Sequence, residues 1–169
     1  MPEKTKQVAI NTESDVLVAR QAGRDMAKNL GFGSADQTRL ATAISELGRN
    51  IIKYAEKGSI TVADESDSMN IRVKVVVEDN GPGIPDIQKA LTDGYTTGRS
   101  LGVGLPGTKR LVHEFDIVSR PGYTRVTVGV VRPRGAGGAG GAGRLGGRAG
   151  GRTGGRSTPG ARPSLRPRR

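Results

Sequence analysis

Apolar positions along the chain follow two periods, and the change from one to the other marks out its elements. Val8 to Ile10 is a short apolar stretch that predicts a first strand. Val16, Leu17, Ala19, Ala22, Met26, Ala27 and Leu30 then recur at three- and four-residue intervals, the stripe of a helix packed on one side. Ser14 is placed to cap that helix and Gly31 to end it. Ser34, with Gln37 three residues on, has the form of a capping box and predicts a second helix running to about Glu56. Its buried face would be Leu40, Ile44, Leu47, Ile51 and Tyr54 or Ala55.

From Ser59 the period falls to two. Ser59 to Ala63 and Asn70 to Glu78 read as antiparallel strands joined by the acidic turn Asp64 to Ser68. A short helical piece is expected from about Asp86 to Leu91, then a polar stretch without periodicity from Thr92 to Ser100. A helix to about Glu114 follows Gly102 to Gly107, and two strands, Phe115 to Ser119 and Arg125 to Val131, turn at Pro121-Gly122. This order predicts an α+β domain: a two-layer α/β sandwich with helices on one face of a mixed, mostly antiparallel sheet.

Charge changes the picture only at one end. The 169 residues carry 27 Lys plus Arg against 16 Asp plus Glu, which alone would suggest a nucleic-acid-binding protein. Ten of those cations are arginines of residues 132–169, which hold no acid, so residues 1–131 carry 17 basic against 16 acidic groups. The expectation is therefore one domain over 1–131 and a disordered, Arg/Gly-rich tail over 132–169, too poor in apolar residues to offset the cost of ordering it. Nucleic acid is expected as a partner only through that tail, by counterion release, and the tail has no aromatic residue to stack on bases. No apolar run approaches membrane-spanning length and the first eleven residues lack an apolar signal core, so a cytoplasmic protein without membrane contact is expected. Without Cys, and with His113 the single histidine, disulfides, thiol chemistry and a His/Cys metal site are excluded.

Three local patterns carry possible chemistry. Glu46 and Asn50 lie four apart on one helical face, where they can act as a general base and an oxygen ligand for Mg²⁺, or stand as a solvated pair beside Arg49 and Lys53. Asp79-Asn-Gly81-Pro-Gly83 leaves the end of an apolar strand; it suits a hydrogen-bonding carboxylate beside a flat ligand, and equally an ordinary turn. Gly102-Val103-Gly104-Leu105-Pro-Gly107 opens a helix whose free N–H groups could cradle phosphates. It does not follow a strand directly, as a dinucleotide fold requires, and Thr108-Lys109 is inverted relative to a P-loop.

Taken in order, Glu46/Asn50, Asp79-x-Gly81-x-Gly83 and Gly102-x-Gly104 resemble the N, G1 and G2 boxes of the GHKL (Bergerat-fold) ATPase and kinase superfamily. The runs Gly31–Gln37, Ala43–Asn50, Glu78–Asp86 and Leu101–Leu111 resemble the RsbT-type serine/threonine kinases, switch proteins of bacterial stressosomes. The resemblance spans about Val8 to Val131 and implies ATP and Mg²⁺ as cofactors. It implies Glu46 as the base and Asn50 as the Mg²⁺ ligand. Asp79 would bind the adenine amino group, Gly81 and Gly83 would give base and ribose room, and Thr124 would add a contact on the adenine side. Gly102, Val103, Gly104, Leu105 and Gly107 would lie along the phosphates, and Arg99 would be a phosphate ligand in a lid over about Asp86 to Leu101.

It further implies a STAS-domain antagonist as substrate, a PP2C-type phosphatase activated as second partner, and a role in sigma-factor and stress regulation. The neighbouring anti-sigma factor kinases share all three boxes, so direct binding of a sigma factor is the alternative. A sensor histidine kinase would carry its acceptor His before the first box, whereas His113 follows the third.

Overall fold

The computed structural model describes residues 3–92 and 104–135. Strand β1 (Thr5–Ile10) leads into helix α1 (Glu13–Asn29) through Thr12, whose Oγ1 accepts the Asp15 amide hydrogen. The Asp15 carboxylate accepts the amide hydrogens of Asn11 and Thr12, both at 2.9 Å, and these bonds hold its pKa below the ordinary value. The cap is thus Thr12, not Ser14. A carboxylate three residues after Thr12 can answer it reciprocally, while Ser14 already lies inside the first turn. At the other end the Phe32 and Gly31 amides bond to the carbonyls of Ala27 and Lys28, a Schellman closure around Gly31 at φ 76°.

Helix α2 (Ser34–Asn50) starts from Gly33 with no side-chain cap. The expected box is absent because Gln37 reaches past Ser34 to the Phe32 carbonyl, at 2.8 Å. Leu40, Ile44, Leu47 and Ile51 form the buried face as the periodicity predicts. Each such side chain taken from water is worth roughly 1.5–3 kcal/mol before chain entropy is counted. The last helical stretch, Ile51–Ala55, is not α but π, ending at Glu56 with φ 67°. This wider turn keeps Ile51 inside and leaves Tyr54 about half exposed.

Strands β2 (Gly58–Asp64), β3 (Asn70–Asp79), β4 (Glu114–Arg120) and β5 (Tyr123–Pro133) complete a five-stranded sheet ordered β1-β2-β3-β5-β4. Among the described residues every pairing is antiparallel, with none of the parallel pairing a mixed sheet would have. Val73, Val75 and Val77 with Val126, Val128 and Val130 turn one apolar face toward α1 and α2, where Phe32 and Ile44 join the core. The short helices α3 (Ile87–Ala90), capped by Asp86, and α4 (Gly104–Leu111) flank the end of the sheet where β3 stops. Strand β5 continues to Pro133, two residues past the expected domain edge. Arg132 there donates to the Leu30 carbonyl at 2.8 Å and lies over the Phe32 ring. No helix among the described residues is long and apolar enough to cross a membrane.

Candidate functional site

A cavity of about 480 Å³ opens between the end of α2, the end of β3 and the start of α4. Its walls are largely apolar, built by Leu47, Val77, Ile84, Leu105 and Val126, with Asn50, Asp79 and Thr124 among its polar groups. An apolar slot of this size with a few convergent polar groups is the usual form of a small-molecule site.

Asp79 reaches the cavity because it ends β3 on the same face as Val77. Its Oδ1 accepts the Gly81 amide hydrogen at 2.9 Å, which fixes the carboxylate at the mouth of the turn. Thr124 is its cross-strand partner on β5 and is 7% exposed. Gly81 itself does not line the cavity: a Cβ there would stand 2.7 Å from that of Ala55. Gly83 does line it, at φ 83°, and a Cβ would fall 2.3 Å from the Arg120 carbonyl oxygen. Glycine is thus required first by the protein's own packing, since no side chain could let this turn lie so close to the β4–β5 hairpin.

On the helical side Asn50 lines the cavity and Glu46, one turn earlier, does not. The Glu46 side chain is only 9% exposed and is paired with Arg49 Nη1 at 2.6 Å. It is therefore not a freely solvated carboxylate. Gly104 and Leu105 line the cavity from the start of α4, and Gly107 lies behind them in the helix. Arg99, Gly102 and Val103 fall outside the described residues. Among the described residues, no three His, Cys, Asp or Glu side chains gather as a metal cage. Asn50 brings one carboxamide oxygen to the cavity, and that fits a hard cation such as Mg²⁺ that takes most of its oxygens from phosphate and water.

Several wall residues are given no chemical role by the three motifs. Leu47, Val77 and Val126 read in sequence only as core positions, and Ile84 only as part of a turn. Ser119 is hydrogen-bonded to both Ile84 and Thr124, and nothing local in its strand announces it.

Residues 35–134 match the family of histidine kinase-, DNA gyrase B-, and HSP90-like ATPases, and the chain belongs to it. The serine/threonine-protein kinase RsbT of Bacillus subtilis (strain 168) is 53% identical over 115 residues, covering 68% of this chain and 86% of that one. Within the ATPase family the chain is thus a serine/threonine kinase of the RsbT type. A crystal structure of the RsbU and RsbW domains of a Mycobacterium tuberculosis protein superposes with a TM-score of 0.53 and 20% identity. It is covered over 78% of this chain and 34% of that longer one, a likeness that bears on the fold alone.

Proposed function

We propose that the chain binds ATP in the cavity between α2, β3 and α4 and transfers the γ-phosphoryl group to a Ser or Thr hydroxyl of a partner protein. The observation that carries this reading is the convergence of Asn50, Asp79, Thr124, Gly104 and Leu105 on one apolar slot. These residues come from four separate elements. Asp79 accepts a hydrogen bond from the adenine amino group, and Leu47, Val77 and Val126 cover the faces of the ring. Asn50 would supply an oxygen to Mg²⁺, which would offset negative charge on the phosphates. Gly104 and Leu105 set the start of α4 beside the phosphate chain, which Gly102, Val103, Gly107 and Arg99 would extend.

Glu46 is the general base. As the acceptor hydroxyl oxygen bonds to the γ-phosphorus and the bond to the ADP oxygen breaks, the hydroxyl proton passes to the Glu46 carboxylate. The Arg49 ion pair holds that carboxylate aside in the free protein, so the arriving acceptor must draw Glu46 toward the cavity. The proposed acceptor is a STAS-domain antagonist, with a PP2C-type phosphatase as the partner activated once the kinase is released. The setting is the cytoplasm, and the kinase activity belongs to the domain expected over 1–131, whose last strand ends at Pro133.

The test is incubation with γ-labelled ATP, Mg²⁺ and a STAS-domain protein of the same genome. Label on a serine or threonine of that protein is expected. Slow phosphate release alone, or tight binding of a sigma factor without transfer, would overturn the kinase-switch reading. Glu46→Ala should retain ATP binding and lose about 10²- to 10⁴-fold in transfer, the usual range for a general base; an unchanged transfer rate would remove Glu46 from the reaction.

A further inference from the structure

Ser119 stands behind the cavity wall. Its Oγ accepts the Ile84 amide hydrogen at 2.8 Å, shares a 2.8 Å hydrogen bond with Thr124 Oγ1 and lies 3.4 Å from the Tyr123 carbonyl oxygen. One atom of β4 thus holds both the backbone of the turn that carries Gly83 and the hydroxyl that β5 presents to the cavity.

Resting on the reading of the cavity as an ATP site, we propose that Ser119 is a positioning residue for adenine recognition, acting through Thr124 and Ile84. Asp79 and Thr124 are directly opposed across β3 and β5, on the same face. Opposed residues stand about 5 Å apart at Cβ, so the two side chains can address neighbouring groups on one edge of a purine. Adenine presents there an amino donor, for Asp79, and beside it the ring nitrogen N1, an acceptor that requires a donor. Thr124 can supply that donor.

The hydroxyl count explains the part Ser119 plays. Its oxygen has two lone pairs and one proton, and one lone pair is taken by the Ile84 N–H. When Thr124 gives its proton to N1, the Ser119 proton turns from the distant Tyr123 carbonyl to Thr124 Oγ1, so the buried Thr124 oxygen keeps a partner. Without Ser119 the Thr124 rotamer is unheld, and the Ile84 amide loses its acceptor. Gly83, pressed on Arg120, and Ile84, bonded to Ser119, dock the turn on the hairpin at two adjacent points.

The test titrates full-length wild type, Ser119→Ala and Ser119→Thr with ATP and with 1-deaza-ATP, in which N1 is replaced by C–H. Wild type should prefer ATP by about fivefold, the ratio expected for one lost hydrogen bond. Ser119→Ala should lose that preference and Ser119→Thr should keep it. A residue that merely supported the fold would weaken both nucleotides equally and leave the ratio intact, which would overturn the proposal. So would wild type that binds ATP but shows no preference, an outcome that leaves the ATP site itself standing. Wild type that binds neither nucleotide would instead refute the ATP site. Should Ser119→Ala fail to fold, Ser119→Cys preserves the side-chain shape with a poor hydrogen-bonding group and is expected to show the same loss of preference.

Discussion

The β3–β5 ladder has two ends with similar polar content and different uses for it. At one end Asp79 faces Thr124, and both look onto an apolar cavity. At the other, Asn70 faces Pro133, and the neighbouring polar groups are turned onto backbone. Arg132 bonds to the Leu30 carbonyl, Arg134 Nε donates to the Asp67 carbonyl at 2.6 Å, and the Asp67 carboxylate accepts the Met69 and Asn70 amides at 2.8 Å. Polar side chains that end on backbone hold the chain in place. Those held at a cavity wall with hydrogen-bonding capacity to spare are available to a ligand. The first end is built to receive a molecule and the second to seal the domain, although their sequences, rich in Asp, Asn, Gly and Pro, look alike.

Substitutions should separate the two. The largest effect is expected at Gly83, where packing and site coincide. Gly83→Ala places a Cβ against the Arg120 carbonyl at a positive φ and should cost roughly 2–4 kcal/mol of stability, with ATP affinity falling as well. Chemical denaturation and nucleotide titration of one preparation would show both losses, and a change in only one would separate the turn from the cavity. Asp79→Asn should weaken ATP binding about 10- to 100-fold through loss of a charge-assisted acceptor, with the unfolding midpoint unchanged. Undiminished affinity by calorimetry would remove Asp79 from the site. At the sealed end Arg132→Ala should do the reverse, lowering stability by about 1–2 kcal/mol and leaving ATP affinity as it was.

The smallest effect concerns acid. The Asn70 and Met69 amides hold the Asp67 carboxyl below its ordinary value near 3.8, as the Asn11 and Thr12 amides do for Asp15. A carboxylate with a lowered folded pKa stabilises the fold fully above the unfolded value, and that contribution is lost as pH falls through the folded value. Urea midpoints should therefore drop below about pH 4, and less steeply in Asp67→Asn. An identical acid slope in that variant would show that the turn contributes nothing to the sealed end. Tyr123 has the opposite sign. Its hydroxyl donates to Glu78 at 2.6 Å and its pKa is raised, so its contribution is present at neutral pH and is lost in strong alkali.

Much of the architecture was legible because it depends on local periods. Val73, Val75 and Val77 recur every second residue, with Arg72, Lys74 and Glu78 among the residues between and beside them, whatever they pack against, and the α2 stripe from Leu40 to Ile51 needs only a period of 3.6. Helix ends were less so. Ser14 and Thr12 are both good caps by residue type, and the choice fell to Thr12 because Asp15 answers it. Ser34 and Gln37 formed a box on paper, but Gln37 found the Phe32 carbonyl first. The four-residue spacing puts Glu46 one turn before Asn50, but its pairing with Arg49 and its absence from the cavity wall depend on side-chain packing.

By itself the sequence determined the elements, their order, the polarity of each face and the three glycine- and acid-bearing patterns that mark an ATPase. All of these follow from interactions within a few residues, or from composition. Only the tertiary structure decided that every strand pair among the described residues is antiparallel, that Asp79 meets Thr124, 45 positions further along the chain, and that Ser119 stands behind them. Cross-strand register is set by turns and by shared burial of faces, and neither is written at the residues it brings together.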